Sequence, residues 1–346
     1  MMVCRNWLNH LNLKPKEVKE FDVAGAIHEH IEVLATKDAL LKQEQKLKSE
    51  YMKIFEPIPH INELPNEIVA EIHLKDAEKM IKSHSYPSPH KYKEAWQILI
   101  QQHLGAGRIC QSSSPCASPA FIVLKANPIV LLQWVNDFRQ LNENTITDSH
   151  PLPRIDDILN DCAKGKIWAT INMTNSSFQT RMHPDHVHLT AVNMPLGLYE
   201  WLVMPMGLKN APAIHQWRVT AALHLLIGKF CHIYLDDIVI WSNTVDEHER
   251  NVHAVLQVLD NARSYINPDK THLFCTEIYF LGHHISTCGI EADTQKIEQI
   301  LSWPEPKSTT TTHSFLGLVW YVAVFLPALT KKTGARRSGE MCNTRT

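Results

Sequence analysis

Two adjacent acidic residues between apolar runs are the part of the sequence best suited to chemistry. Asp236 and Asp237 follow Tyr234-Leu235, and residues 231–233 and 238–241 on either side are rich in β-branched and aromatic types. This pattern predicts a β-hairpin with both carboxylates at its apex. Like charges held together repel, and a bound cation such as Mg²⁺, which prefers carboxylate oxygens, relieves the repulsion. A solvated Asp-rich turn is the alternative, and the four residues alone leave both interpretations open.

The composition is that of a chain with a packed core. Of 346 residues 44% are hydrophobic, and 34 Lys and Arg stand against 36 Asp and Glu. The length suits two or three domains, and the near-zero net charge argues against binding nucleic acid by bulk charge but permits a local basic groove. Eight cysteines without a Cys-x-x-Cys pair indicate neither zinc nor disulfides. No secretory signal or apolar stretch of about 20 residues is present, so we expect an intracellular protein, cytoplasmic or nuclear, without a membrane segment.

Periodicity predicts the elements that position the two aspartates. Asn172 comes near the end of a predicted strand, and that strand is expected to neighbour the hairpin in an α+β layer, an antiparallel sheet with helices on one face. The predicted helices are 92–100, 155–159, 208–226 (starting just after Met206-Gly207) and 246–262. The predicted strands are 68–74, 120–125, 168–173, its antiparallel partner 178–182, and 278–285 with a bend at Gly282.

Seven segments, in order, carry a resemblance to a known family. They are 112–119 (SSSPCASP), 137–142 (DFRQLN), 151–157 (PLPRIDD), 197–201 (GLYEW), 204–212 (MPMGLKNAP), 234–237 (YLDD) and 280–283 (FLGH). Each is weak alone, but together they span more than two hundred residues. From about residue 57 to about residue 329 the chain resembles the reverse transcriptases of gypsy-type LTR retrotransposons, fungal members especially.

The resemblance implies a right-hand polymerase fold of fingers, palm and thumb. It implies fingers and palm at 58–245, and thumb and the start of a connection at 246–330. Helical periodicity adds a helical leader or polyprotein linker at 1–57, and composition adds a disordered basic tail at 331–346. The implied chemistry is RNA-directed DNA synthesis with deoxynucleotides on an RNA template and DNA primer. Two Mg²⁺ or Mn²⁺ ions about 3.5–4 Å apart would clamp the attacking and leaving oxygens. Asp236 matches the direct metal ligand and Asp237 its supporting partner.

The third metal-ligand position is where the sequence departs from the family. Relatives carry an aspartate, whereas this chain has Asn172, which offers one neutral carbonyl oxygen. Removing one preorganised electrostatic group costs roughly 10²–10³ in rate. We therefore expect impaired catalysis, although a harmless residue at a strand end would look the same in isolation.

The expected nucleotide-binding positions depart as well. Gln133 stands where relatives place an arginine that grips the triphosphate, and Lys125 is what remains of a lysine-rich fingers turn. Ser177 takes the place of an aromatic residue under the sugar. Phe178 next to it is expected to pack in the core unless it substitutes for that aromatic.

Other matching positions are retained. Met206 and Gly207 match the place where the templating base pair lies against backbone, and Leu281, Gly282 and His283 match the hairpin that holds the primer end. The chain stops soon after the thumb-like region, which we interpret as a fragment of a decayed element. Three hypotheses follow: an impaired polymerase, a non-catalytic nucleic-acid-binding remnant, and an inactive pseudogene product.

Overall fold

The computed structural model describes residues 23–81, 86–87, 89–123 and 133–321, with side chains described from residue 37 to residue 319. The chain divides into two compact units, 1–47 and 48–346. Helix α1, Val23–Glu50, supplies the described part of the first unit, and a 3₁₀ turn at Met52–Phe55 follows in the second. No helix among the described residues is long and apolar enough to cross a membrane.

The second unit alternates helices with short strands. Its helices are α2 (Lys93–Gly105), α3 (Arg139–Asn144), α4 (Ile155–Cys162), α5 (Ala211–Leu223), α6 (Val245–Asn261), α7 (Thr294–Leu301) and α8 (Thr309–Tyr321). Its strands are β1 (Val69–Ala70), β2 (Ile109–Gln111), β3 (Ser118–Val123), β4 (Gln133–Asn136), β5 (Ile167–Asn172), β6 (Arg181–Met182), β7 (Val192–Met194), β8 (Gly197–Trp201), β9 (Cys231–Tyr234), β10 (Asp237–Ser242), β11 (His272–Cys275), β12 (Glu277–Phe280), β13 (His283–Ser286) and β14 (Gly289–Ala292).

A four-stranded antiparallel sheet carries the acidic hairpin. Its strand order is β11-β5-β10-β9. The hairpin strands β9 and β10 pair around Leu235-Asp236, and β5 pairs with β10 so that Asn172 lies opposite Asp237. The predicted neighbourhood of Asn172 and the hairpin is therefore confirmed.

Both faces of the central strand β10 are covered. Val239 and Trp241 pack in one cluster with α4 and with the hairpin of β12 and β13. Ile238 and Ile240 alternate with them, point to the opposite face, and are fully buried. Helix α6 packs along β10 and β5. This double cover explains why residues 238–241 are continuously apolar.

A second sheet, β2-β8-β7-β3-β4, is built from residues before and after β5. Its core contains Trp96 and Trp201, each at most 2% exposed, together with Phe138. Strand β11, which the sequence places in the thumb, is hydrogen-bonded to β5 in the sheet of the acidic hairpin.

The predicted antiparallel strand at 178–182 is wrong. Asn175 adopts a left-handed conformation with φ of 38°, and a 3₁₀ turn runs from Ser176 to Gln179. Strand β6 then pairs in parallel with β1. Both edges of β5 are already taken by β10 and β11, and the Gln179 amide holds the carbonyls of Thr174 and Tyr265, which pins the segment as a turn.

Several predicted boundaries change, including those of a helix and two strands. Helix α5 begins at Ala211 rather than 208, because Asn210 precedes it with its side chain bonded to the 146–148 loop. The strand at 278–285 is a hairpin, because Leu281 and Gly282 both take positive φ (48° and 71°), the geometry of a two-residue turn. The predicted strand at 68–74 is limited to the two residues of β1, Val69–Ala70.

A buried histidine ties α6 to the sheet and gives a test of the fold. His248 is fully buried, with Nδ1 2.9 Å from Ser242 Oγ and Nε2 2.8 Å from the Leu273 carbonyl oxygen. Burial lowers its pKa to about 4, so the native state holds a neutral imidazole.

We predict that His248 contributes to acid sensitivity. Its folded pKa lies below the unfolded value of about 6.5, so its contribution is full above that pH and is lost as the pH falls toward 4. His248→Gln should flatten the fall of unfolding free energy by up to about 1.4 kcal/mol per pH unit in that window, measured by urea titration. Identical slopes for both proteins would contradict the assignment.

Candidate active site

The apex of the acidic hairpin is clamped to helix α5. Leu235 takes a left-handed conformation with φ of 53° and donates its backbone N–H to Gln216 Oε1 at 2.7 Å. Gln216 Nε2 donates to the Ile233 carbonyl oxygen at 3.3 Å. One side chain of α5 thus binds the turn at two points and fixes the direction in which Asp236 leaves it.

Asn172 and Asp237 form a direct pair across the sheet. Their Cα atoms are register partners, and Asn172 Nδ2 donates to Asp237 Oδ1 at 2.6 Å. The orientation of the Asn172 amide is assigned from this hydrogen bond, because the opposite orientation would place its carbonyl oxygen against the Asp237 carboxylate. The amide thereby satisfies one oxygen of Asp237 without a cation.

Asp236 has different neighbours. Its Oδ1 accepts a hydrogen bond from Ser176 Oγ at 2.6 Å and lies 3.5 Å from His215 Nε2. The Asp236 side chain is 53% exposed, whereas that of His215 is 3% exposed. Burial lowers the pKa of His215 to about 4, against the opposing effect of the Asp236 carboxylate. The imidazole is therefore neutral at neutral pH and adds no positive charge beside Asp236.

Two cavities meet at residue 172. Asp236 lines a cavity of about 530 Å³ that also contains Ser176 and His215, whereas Asp237 lines one of about 450 Å³. Asn172 and Lys270 line both. The two aspartates therefore open toward different spaces on either side of Asn172.

The donor set fits a divalent ion only in part. Two carboxylates and an amide are hard oxygen ligands of the kind Mg²⁺ takes. However, Asp237 Oδ1 and Asp236 Oδ1 already accept hydrogen bonds from Asn172 and Ser176. Among the described residues no group of three or more His, Cys, Asp or Glu is arranged to hold a metal ion. The site thus offers two carboxylates and one amide to an ion, with no third carboxylate among the described residues beside them.

Three of the expected nucleotide-binding residues line the Asp236 cavity. They are Ser177, Met206 and Gly207. Gly207 has φ of 96°, and its carbonyl oxygen accepts from Asn142 Nδ2 at 2.8 Å. Asn142 Oδ1 accepts from the Lys209 N–H, so α3 holds the turn that precedes α5. Met206 and Gly207 thus lie in a turn four residues before the helix rather than at its first residues.

The other expected nucleotide-binding residues lie elsewhere. Phe178 stacks on Trp201 with ring centroids 5.4 Å apart, and the Arg108 guanidinium lies 5.2 Å from its ring, so it packs in the core of the second sheet. Gln133 is the exposed first residue of β4 and pairs with Val123. Lys125 lies outside the described residues.

The predicted primer-binding residues form the turn between β12 and β13. Leu281 lines the Asp237 cavity, Gly282 completes the turn, and His283 begins β13 with a buried side chain. Burial lowers the pKa of His283 below its usual value.

Sequence reasoning missed Ser176, His215, Gln216 and Lys270. Little in the sequence indicates a functional role for these four residues, because none of them lies within the acidic motif. His215 follows Ala211 by about one helical turn, so a helix beginning at Ala211 would have placed it on the side of the cavity that Ala211 also lines.

Comparison with known proteins agrees with this geometry. Residues 128–285 match the family described as reverse transcriptase (RNA-dependent DNA polymerase). The Pol polyproteins of transposons opus and gypsy from Drosophila melanogaster are 35% and 33% identical over 81% and 75% of this chain. The transposon Tf2-3 polyprotein of Schizosaccharomyces pombe is 30% identical over 76%. The chain spans only 20–28% of the length of these relatives.

Solved structures show the same fold. The foamy viral protease-reverse transcriptase in complex with double-stranded DNA aligns over 88% of this chain and 53% of its own, with a TM-score of 0.75 at 22% identity. The same enzyme in complex with an RNA/DNA hybrid aligns over 80% of this chain and 37% of its own, with a TM-score of 0.70 at 23% identity. The fold is α+β and that of a polymerase, and the chain contains a reverse transcriptase domain of the kind found in retrotransposon Pol polyproteins.

Proposed function

We propose that Asp236, Asp237 and Asn172 mark an RNA-directed DNA polymerase site that is catalytically impaired. The observation that carries the proposal is the 2.6 Å hydrogen bond from Asn172 Nδ2 to Asp237 Oδ1. The amide adds no negative charge, and its N–H group rather than its carbonyl oxygen faces Asp237. A divalent ion held by both aspartates would supply activation of the primer 3′-oxygen and neutralisation of the triphosphate. The role of the two aspartate side chains would be to hold this ion.

The chain's remaining groups would bind and orient substrates. We propose that a deoxynucleotide lies in the cavity lined by Ser177, Met206 and Gly207, where the positive φ of Gly207 permits close approach of backbone. Lys270, which lines the same cavity, would offset phosphate charge. Primer backbone would lie along Leu281 and Gly282. RNA template and DNA primer are the partners that this arrangement suits, and RNA/DNA hybrid is what one solved neighbour holds.

We place the domain boundaries by strand pairing in the sheet as well as by sequence. We propose fingers and palm from 58 through β11, because β11 bonds to the strand that bears Asn172, and a thumb beginning with the β12–β13 hairpin. The helical leader at 1–57 and an intracellular location remain proposals from the sequence.

A non-catalytic nucleic-acid-binding remnant is the second candidate. The Asn172–Asp237 bond favours it, because the apex is satisfied without an ion while Lys270 still lines both cavities. Gel-shift binding of a primed RNA in EDTA, without extension when Mg²⁺ or Mn²⁺ is added, would favour this candidate. If the chain neither binds nor extends the primed RNA, the result would favour the third hypothesis, an inactive pseudogene product.

We predict that Asn172→Asp raises primer extension on an RNA template by roughly 10²–10³, because it restores one preorganised charge at the reacting phosphate. The rate of single-nucleotide incorporation with saturating Mg²⁺ measures the gain. Asn243→Asp, at an exposed position, is the matched control and should change nothing. Robust incorporation by the unmodified chain, at the rate of Asn172→Asp, would refute the impairment.

We also predict that the same change makes the stability of the protein depend on metal. In EDTA, Asn172→Asp should lower the unfolding free energy by about 1–3 kcal/mol, because it replaces a hydrogen bond with two facing carboxylates. Mg²⁺ should recover that loss in the variant and barely affect the unmodified chain. Urea titrations with and without Mg²⁺ measure both, and a variant that is more stable in EDTA than the unmodified chain would rule out the pairing.

A further inference from the structure

A cavity away from the acidic hairpin contains a buried arginine without a matching charge. The cavity is about 620 Å³ and lies between α5, the turn after α6, and residues 62–68. Arg218 of α5 is 6% exposed, and its Nη2 donates to Ser264 Oγ at 3.1 Å. Its Nη1 is buried and has no hydrogen-bond partner.

The guanidinium of Arg218 stays charged in this position. Burial lowers the pKa of Arg218 to about 10, so the group is protonated at neutral pH. Glu67 is the carboxylate among the residues lining the cavity, and it raises that pKa from a distance without forming an ion pair within 4.0 Å among the contacts of the described residues. A buried charge without a close partner is unfavourable unless a ligand or counter-ion offsets it.

A second arginine lines the same cavity. Arg263 has φ of 47° in the turn after α6, a position that glycine ordinarily takes at the end of a helix. Its Nη1 donates to the Glu63 carbonyl oxygen at 3.0 Å, which leaves further N–H groups of its guanidinium for a ligand. Because Ser264 Oγ accepts from Arg218, the Ser264 hydroxyl can donate its own proton.

We propose that this cavity binds a phosphate group between Arg218 and Arg263. Two guanidinium groups and a hydroxyl offer more donors than a planar carboxylate accepts, and the several oxygens of a tetrahedral phosphate match them. The phosphate belongs either to a free anion or nucleotide, or to a nucleic-acid backbone that reaches this face. The proposal is independent of the chemistry at Asp236 and Asp237.

The test compares the full chain with variants at constant ionic strength, with inorganic phosphate replacing chloride. Phosphate should raise the melting temperature of the unmodified chain and bind it in calorimetry. Arg218→Met should weaken binding at least about tenfold, since a charge-assisted hydrogen bond is lost. It should fold at least as stably without phosphate, since an apolar side chain of similar length replaces a buried charge. Arg250→Gln, at an exposed position of α6, is the control and should bind phosphate normally.

Two further variants keep the proposal falsifiable if Arg218→Met does not fold. Arg263→Gly removes the second guanidinium at a position suited to glycine and should also weaken phosphate binding. Glu67→Gln should tighten it, because a competing carboxylate is gone. If Glu67→Gln destabilises the protein while phosphate binds no better to the unmodified chain than to Arg218→Met, Glu67 is the partner and the proposal is overturned.

The source of the phosphate is decided with an RNA/DNA hybrid. Where phosphate binding depends on Arg218, weaker hybrid binding by Arg218→Met with a shallower salt dependence assigns the group to a nucleic-acid backbone. Unchanged hybrid binding assigns it to a free anion or nucleotide. If phosphate binding does not depend on Arg218, the proposal fails whichever result the hybrid gives.

Discussion

The antiparallel pairing of β5 with β10 is the constraint on which the site depends. A slip of one residue would turn every side chain of β5 to the opposite face, moving Asn172 away from the cavities and bringing buried Ile171 toward them. The burial pattern of the two strands therefore fixes Asn172 opposite Asp237. The chemistry at the apex follows from apolar residues that never touch a substrate.

At that fixed position an amide and a carboxylate are not equivalent. Asn172 gives Asp237 a hydrogen bond, and Ser176 gives one to Asp236, so each aspartate has a neutral donor within 2.6 Å. His215 beside Asp236 is kept neutral by burial. Asn172 and Ser176 thus supply neutral donors at the apex, whereas a carboxylate at residue 172 would face Asp237 with a like charge.

Much of the site was predictable because its signals are local. The hairpin, β5 with Asn172 near its end, α4 and α6 follow from periodicity within single segments. The turn at 176–179 was not predictable, because its sequence resembles a strand and only the occupied edges of β5 exclude it. His215 escaped notice because its role depends on the first residue of α5. The sequence predicts one bent strand at 278–285 rather than a hairpin, because the positive φ of Leu281 is unusual for leucine. The features that local sequence does not reveal are which strand edges are already paired and where the backbone takes a positive φ.

The most direct test of the central claim is anomalous diffraction from crystals of the unmodified chain soaked in Mn²⁺. The account predicts an intact Asn172–Asp237 hydrogen bond and at most one manganese peak, on the Asp236 side of the hairpin. Two peaks about 3.5–4 Å apart, with the residue 172 side chain bridging them, would contradict it.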